Sequence, residues 1–96
     1  MFLKLKPERV QEELKTMPGW SLHSSGKAIQ RLYQFTSERA AANYATYLSA
    51  CAGDAAQPVH LTVSGKSLTV KLFAPPRKGR SAPLDMGVIE FARQLN

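Results

Sequence analysis

The sequence predicts an α+β domain of order α-β-β-α-β-β-α, a four-stranded antiparallel sheet with helices on one face. Three observations carry this. Apolar residues recur at helical spacing in three stretches, between 7 and 17, between 37 and 53, and between 83 and 95. Two further stretches alternate apolar and polar residues, each divided by a short turn signal. The chain has 96 residues, so one domain spans 1–96 and no second is accommodated.

Each element has its own local reason. Pro7 suits a first helical position, where its missing N–H costs nothing, and Glu8 follows it near the positive end of the dipole. Val10, Leu14 and Met17 form a narrow apolar stripe, and Pro18-Gly19 ends the helix. Trp20 to Leu22 reads as a short strand, Ser24-Ser25-Gly26 as a turn, and Ala28 to Phe35 as a longer strand. In that strand Ile29, Tyr33 and Phe35 share one face, with Arg31 interrupting it.

Thr36 or Ser37 then caps a long helix running towards Gly53, with Glu38 in its first turn. Ala41, Tyr44, Leu48 and Cys51 line one apolar stripe, and Ala40, Tyr47 and Ala50 part of a second. A helix apolar on two sides packs on its sheet and offers a surface to a partner. After Pro58 the period becomes two. Val59, Leu61 and Val63 alternate with His60, Thr62 and Ser64; after Gly65-Lys66, Leu68, Val70 and Leu72 alternate with Thr69, Lys71 and Phe73. This is a hairpin buried on one face. A loop from Ala74 to Ala82 leads to a last helix beginning near Pro83, with Leu84, Val88, Phe91 or Ala92, and Leu95 at helical spacing.

Composition narrows the function classes. Thirteen basic residues against seven acidic give +6. A single cysteine, Cys51, excludes an intramolecular disulfide framework and a cysteine-based zinc cluster, and points to a reducing, cytoplasmic setting. No signal peptide and no membrane-spanning run is visible. Phosphate-binding loops, dinucleotide fingerprints and nucleophile elbows are absent, so no cofactor is expected. His23 and His60 are isolated, the first beside a turn and the second on the polar side of a strand, so no metal site is expected. Cys51 reads as core filler.

The element order, with several local motifs, resembles the pterin-4a-carbinolamine dehydratase family over nearly the whole chain. The matching pieces are Gly19-Trp20, the strand with Ala28-Ile29 and Tyr33-Gln34-Phe35, the alanine-rich helix from Ser37, Pro58 before a Val-x-Leu-x-Val strand, and the closing helix with Asp85, Ile89 and Phe91. The resemblance implies where a dehydratase site would lie: two histidines before that proline, an acid after it, a third histidine after the fourth strand, and an aspartate near the last helix. Imidazoles suit that chemistry because their pKa lies near operating pH. This chain has Ala56-Gln57 at the pair, Val59 in place of the acid, and Pro75 at or next to the third histidine. Asp85 matches either the family's helix cap or its aspartate one turn on, and a helix-capping role is the simpler one.

The catalytic positions are thus degenerate, and the chain is expected not to be an enzyme. It is similar to the members of the family that assist RuBisCO assembly in the α-carboxysome. That resemblance implies a non-enzymatic assembly factor with RuBisCO subunits as clients, a homodimer or higher homo-oligomer, and a cytoplasmic or carboxysome-associated location. A divergent dehydratase using Gln57, His60 and Asp85 is one alternative; a transcriptional or nucleic-acid adaptor is another. The adaptor draws on the +6 charge and on the family's second role as a transcription-factor dimerisation partner. Arg77, Lys78 and Arg80, framed by Pro75, Pro76 and Pro83, read either as a solvated loop or as a patch that steers an acidic partner. No aromatic residue is interleaved with them, which argues against nucleic acid.

Overall fold

The computed structural model describes residues 6–76 and 83–95. Along the chain come α1 (Pro7–Leu14), β1 (Trp20–Leu22), β2 (Ala28–Gln34), α2 (Glu38–Asp54), β3 (Val59–Ser64), β4 (Ser67–Phe73) and α3 (Met86–Leu95). The strands form one sheet of order β1-β2-β4-β3, antiparallel at every junction. The predicted fold class and element order are those observed.

Alternation decides which side of the sheet is covered. Register places Leu22, Ile29, Leu72 and Val59 in one row across the strands, and Tyr33, Leu68 and Val63 in another. Ile29, Leu68, Val70 and Leu72 are fully buried. They share one hydrophobic cluster with Val10 and Leu14 of α1, Leu48 and Ala52 of α2, and Val88, Ile89, Phe91 and Ala92 of α3. The opposite face, with His60, Thr62, Ser64 and Leu32, is open. The β3–β4 turn has two residues, Gly65 and Lys66, between the paired Ser64 and Ser67. Gly65 takes φ 58, which the first position of a type II′ turn requires and which glycine adopts without strain.

Three boundaries depart from the sequence expectation. α1 stops at Leu14 rather than at Met17: the chain tightens, with the Met17 N–H donating to the Leu14 carbonyl at 3.0 Å. Met17 still enters the core, 1% exposed, but from a turn. α3 starts at Met86 rather than near Pro83, and Leu84 is buried just ahead of it. β2 ends at Gln34, one residue short of Phe35. Ser37 is the cap of α2, its hydroxyl accepting from the Ala40 N–H at 3.1 Å. The ends of the domain are also tied by charge: Glu13 on α1 pairs with Arg9 at 3.0 Å and with Arg93 on α3. The Arg9 hydrogen bond is the largest influence holding its carboxyl below the usual range, and Arg93 acts in the same direction.

Under α2, the rings of Tyr33 and Tyr44 lie 5.1 Å apart and those of Phe35 and Tyr44 5.5 Å apart. Among the described residues the Tyr33 hydroxyl is buried without a partner in hydrogen-bonding geometry. Burial, then the neighbouring Tyr44, pushes its pKa from 10.0 up to about 12. Across that window the folded protein holds a proton that the unfolded chain releases, so stability is intact below the lower value and falls as pH rises. Wild type should show this alkaline loss in urea unfolding followed by circular dichroism. Tyr33→Phe, which keeps the ring and removes the titration, should flatten it. Superimposable pH profiles would assign the loss to another group.

Candidate functional site

Four positions singled out in the sequence, Ala56, Gln57, Pro75 and Asp85, come together around one cleft of about 280 Å³. Its walls come from three places in the fold. Ala55, Ala56 and Gln57 form the exit of α2, Pro75 follows β4, and Asp85, Gly87, Glu90, Phe91 and Gln94 present one side of α3. Glu90, Phe91 and Gln94 were not identified as site residues from sequence. Their signal was available: from Gly87 they fall at i+3, i+4 and i+7, beside the core residues Val88, Ile89 and Ala92.

The α2 exit is a Schellman turn. The Gln57 N–H donates to the Ala52 carbonyl at 2.8 Å and the Ala56 N–H to the Gly53 carbonyl at 3.2 Å. The position between cap and strand must be left-handed, and Ala56 takes φ 53 there, where glycine is the usual occupant. The turn delivers Gln57 to the junction of β3 and β4. Its Nε2 donates to the carbonyls of Pro58 at 2.8 Å and Phe73 at 2.6 Å. Both amide hydrogens are thereby committed to the scaffold. The polar atom that Gln57 has left to offer is its carbonyl oxygen.

Asp85 lies immediately before α3 and accepts from the Val88 N–H through Oδ1 at 3.1 Å. This is the geometry of an N-cap, which satisfies one of the free donors of the first turn. Among the described lining residues Asp85 and Glu90 carry carboxylates, and none is an imidazole, thiol or amine. Among the described residues no group of His, Cys, Asp or Glu is placed to hold a metal ion. Its described lining can bind through shape and hydrogen bonding, and the proton carriers among those residues are carboxylates.

The remaining candidates lie elsewhere. His60 is exposed on the open face. His23 closes its own turn, with the Ser25 N–H donating to Nδ1 at 3.1 Å. Cys51 is half-buried on α2 against the core, one turn after Tyr47, whose pKa its hydrogen bond raises. Tyr47 itself is 58% exposed and Ala50 is exposed, so the second stripe of α2 is uncovered in the single chain. Arg77, Lys78 and Arg80 lie outside the described residues. No helix among the described residues is long and apolar enough to cross a membrane.

Comparison with known proteins places this geometry. Residues 3–87 match the family described as pterin 4 alpha carbinolamine dehydratase. Among solved structures the chain is similar to a transcriptional coactivator/pterin dehydratase from Brucella melitensis, with a TM-score of 0.78 and 18% identity. The match covers 98% of this chain and 96% of that one. At that identity the likeness is one of fold. A search of curated proteins returned no match.

The left-handed alanine gives a direct test of the turn that shapes the cleft. Ala56→Gly should raise unfolding free energy by about 0.5–1 kcal/mol, since relief of the Cβ strain outweighs the added flexibility of the unfolded chain. Urea midpoints measure this, and a lower midpoint for Ala56→Gly would exclude the left-handed conformation.

Proposed function

The chain belongs to the pterin-4a-carbinolamine dehydratase family, and we propose that within it this protein is a non-catalytic binding protein. The observation that carries the proposal is the content of the cleft. Where the family resemblance calls for imidazoles the chain has Ala56, Gln57 and Pro75, all lining one cavity. Alanine and proline cannot transfer a proton, and the Gln57 amide is occupied in joining two strand ends. Asp85 is engaged at the start of α3. General acid–base catalysis contributes roughly 10²–10⁴-fold in enzymes that use it, and its ordinary carriers are missing.

The finer proposal is an assembly factor for RuBisCO in the α-carboxysome, acting on the enzyme's subunits as a homodimer. Its support is the resemblance to the branch of the family that lacks the histidines, together with two uncovered features of the single chain. β3 is an edge strand whose Val63 is 45% exposed, and Tyr47 on α2 is also exposed. A free strand edge is satisfied when a second strand pairs with it.

Three measurements test these proposals. Light scattering should report twice the chain mass or a multiple of it, and a strictly monomeric mass at micromolar concentration would refute the dimer. Formation of quinonoid dihydropterin from the carbinolamine should proceed no faster than in buffer, while co-expression should raise the yield of assembled RuBisCO. Acceleration abolished by Asp85→Ala would instead make the protein a dehydratase. An unchanged RuBisCO yield would remove the assembly role and leave the non-catalytic reading standing.

A further inference from the structure

The lining of the cleft at the exit of α2 is graded in depth. Gln57 and Asp85 are half-buried and Phe91 is 8% exposed, so these belong to its deeper part. Ala55, Ala56, Pro75 and Glu90 are exposed and belong to its rim. The deeper part thus combines polar side chains with an aromatic ring. On the α2 and β4 side the rim is made of two alanines and a proline.

The half-buried side-chain atoms left to a ligand are acceptors. The Gln57 amide has one possible orientation, because the Pro58 and Phe73 carbonyls both take their hydrogens from Nε2. Its Oε1 has no hydrogen bond among the described residues. Asp85 uses Oδ1 to cap α3, and its Oδ2 likewise has none. Glu90 forms no ion pair among the described residues, and Arg93, one turn on, is committed to Glu13. Two carboxylates outweigh the roughly half positive charge of the α3 N-terminus beside Asp85, so the described lining favours a cation. The net charge of +6 opposes a cation at long range. Charges beyond about 8 Å are largely screened at physiological salt, however, whereas the carboxylates act in contact.

We propose that this cleft receives an arginine side chain presented by another protein. The inference rests on the non-catalytic reading of the cleft and names what it binds. A guanidinium carries its donors in a planar fork, so it serves acceptors from two elements at once, Gln57 after α2 and Asp85 before α3. Phe91 offers the ring on which such a plane stacks. The methylene stem of the arginine lies against Ala55, Ala56 and Pro75, as a side chain with an apolar stem and a charged head requires. A lysine has the stem but brings a point charge without the fork.

The test is an NMR titration of the isotope-labelled full chain with arginine blocked as its N-acetyl N-methylamide. Citrulline and lysine, blocked in the same way, are the controls, citrulline having the shape of arginine without its charge. Arginine should give saturable shifts at millimolar concentration in the Gln57 side-chain amide and the Val88 backbone amide, and both controls should bind about fivefold more weakly or worse. Asp85→Asn keeps a capping oxygen and removes the charge, and should lower arginine affinity about tenfold. Glu90→Gln changes an exposed residue and should lower it about threefold; it decides the matter if Asp85→Asn does not fold. Absence of saturable shifts, equal affinity for citrulline, or undiminished affinity in the folded variants would overturn the proposal. So would arginine binding that appears only after Arg77, Lys78 and Arg80 are changed to alanine, since the cleft would then belong to this chain's own cations. Dehydration of the carbinolamine would remove the non-catalytic reading and this inference together, whereas a lack of arginine binding removes this inference alone.

Discussion

A sheet covered on one side draws its core from alternate residues only. In this domain the constraint falls hardest on β4, which lies between β2 and β3. Leu68, Val70 and Leu72 are completely buried, whereas Thr69, Lys71 and Phe73, between and beyond them, remain partly exposed. A register slip of one residue would exchange the two sets. Every helix takes its position from that row: α1 covers the β1 end, α2 the β3 and β4 side, and α3 closes over β4. The cleft is a product of the same arrangement, since two of its walls are the exit of α2 and one side of α3.

Gln57 has the most consequential place in the cleft. Its side chain joins the start of β3 to the end of β4 and is therefore a structural tie. The same residue belongs to the turn that ends α2, so helix, hairpin and cleft meet at one position. A group with its hydrogens so committed is a positioned acceptor, and Asp85 likewise divides its carboxylate between capping a helix and facing the cavity. Gln57 and Asp85 thus line the cleft with the same side chains that hold the fold around it.

The β3–β4 hairpin was legible because alternation and a Gly-Lys turn agree, and each signal is local. α2 was legible from Ser37 to its alanines for the same reason. The end of α1 was not. Met17 has the spacing of a helical core residue but reaches the core through a turn, and periodicity cannot distinguish the two. The start of α3 was missed because Leu84 is buried before the helix begins. For the cleft, spacing within the chain carries no information that Gln57, Pro75 and Asp85 converge; the resemblance to a family brought them together. Glu90 and Gln94 needed the orientation of α3 as well, which is set by tertiary packing.

The ion pair between Glu13 and Arg93 joins the first helix of the domain to the last. Its consequence is temporal. While the chain is being synthesised, all four strands precede α3, and the cluster that Val10 and Leu14 share with Val88, Ile89 and Ala92 stays incomplete until those residues have followed. Throughout that interval an apolar sheet face stands partly uncovered, in the kind of intermediate that associates with other chains. Completion of this domain therefore waits on its final ten-residue helix, and a nascent chain halted before α3 presents the cell with a strand-rich surface that the finished protein never shows.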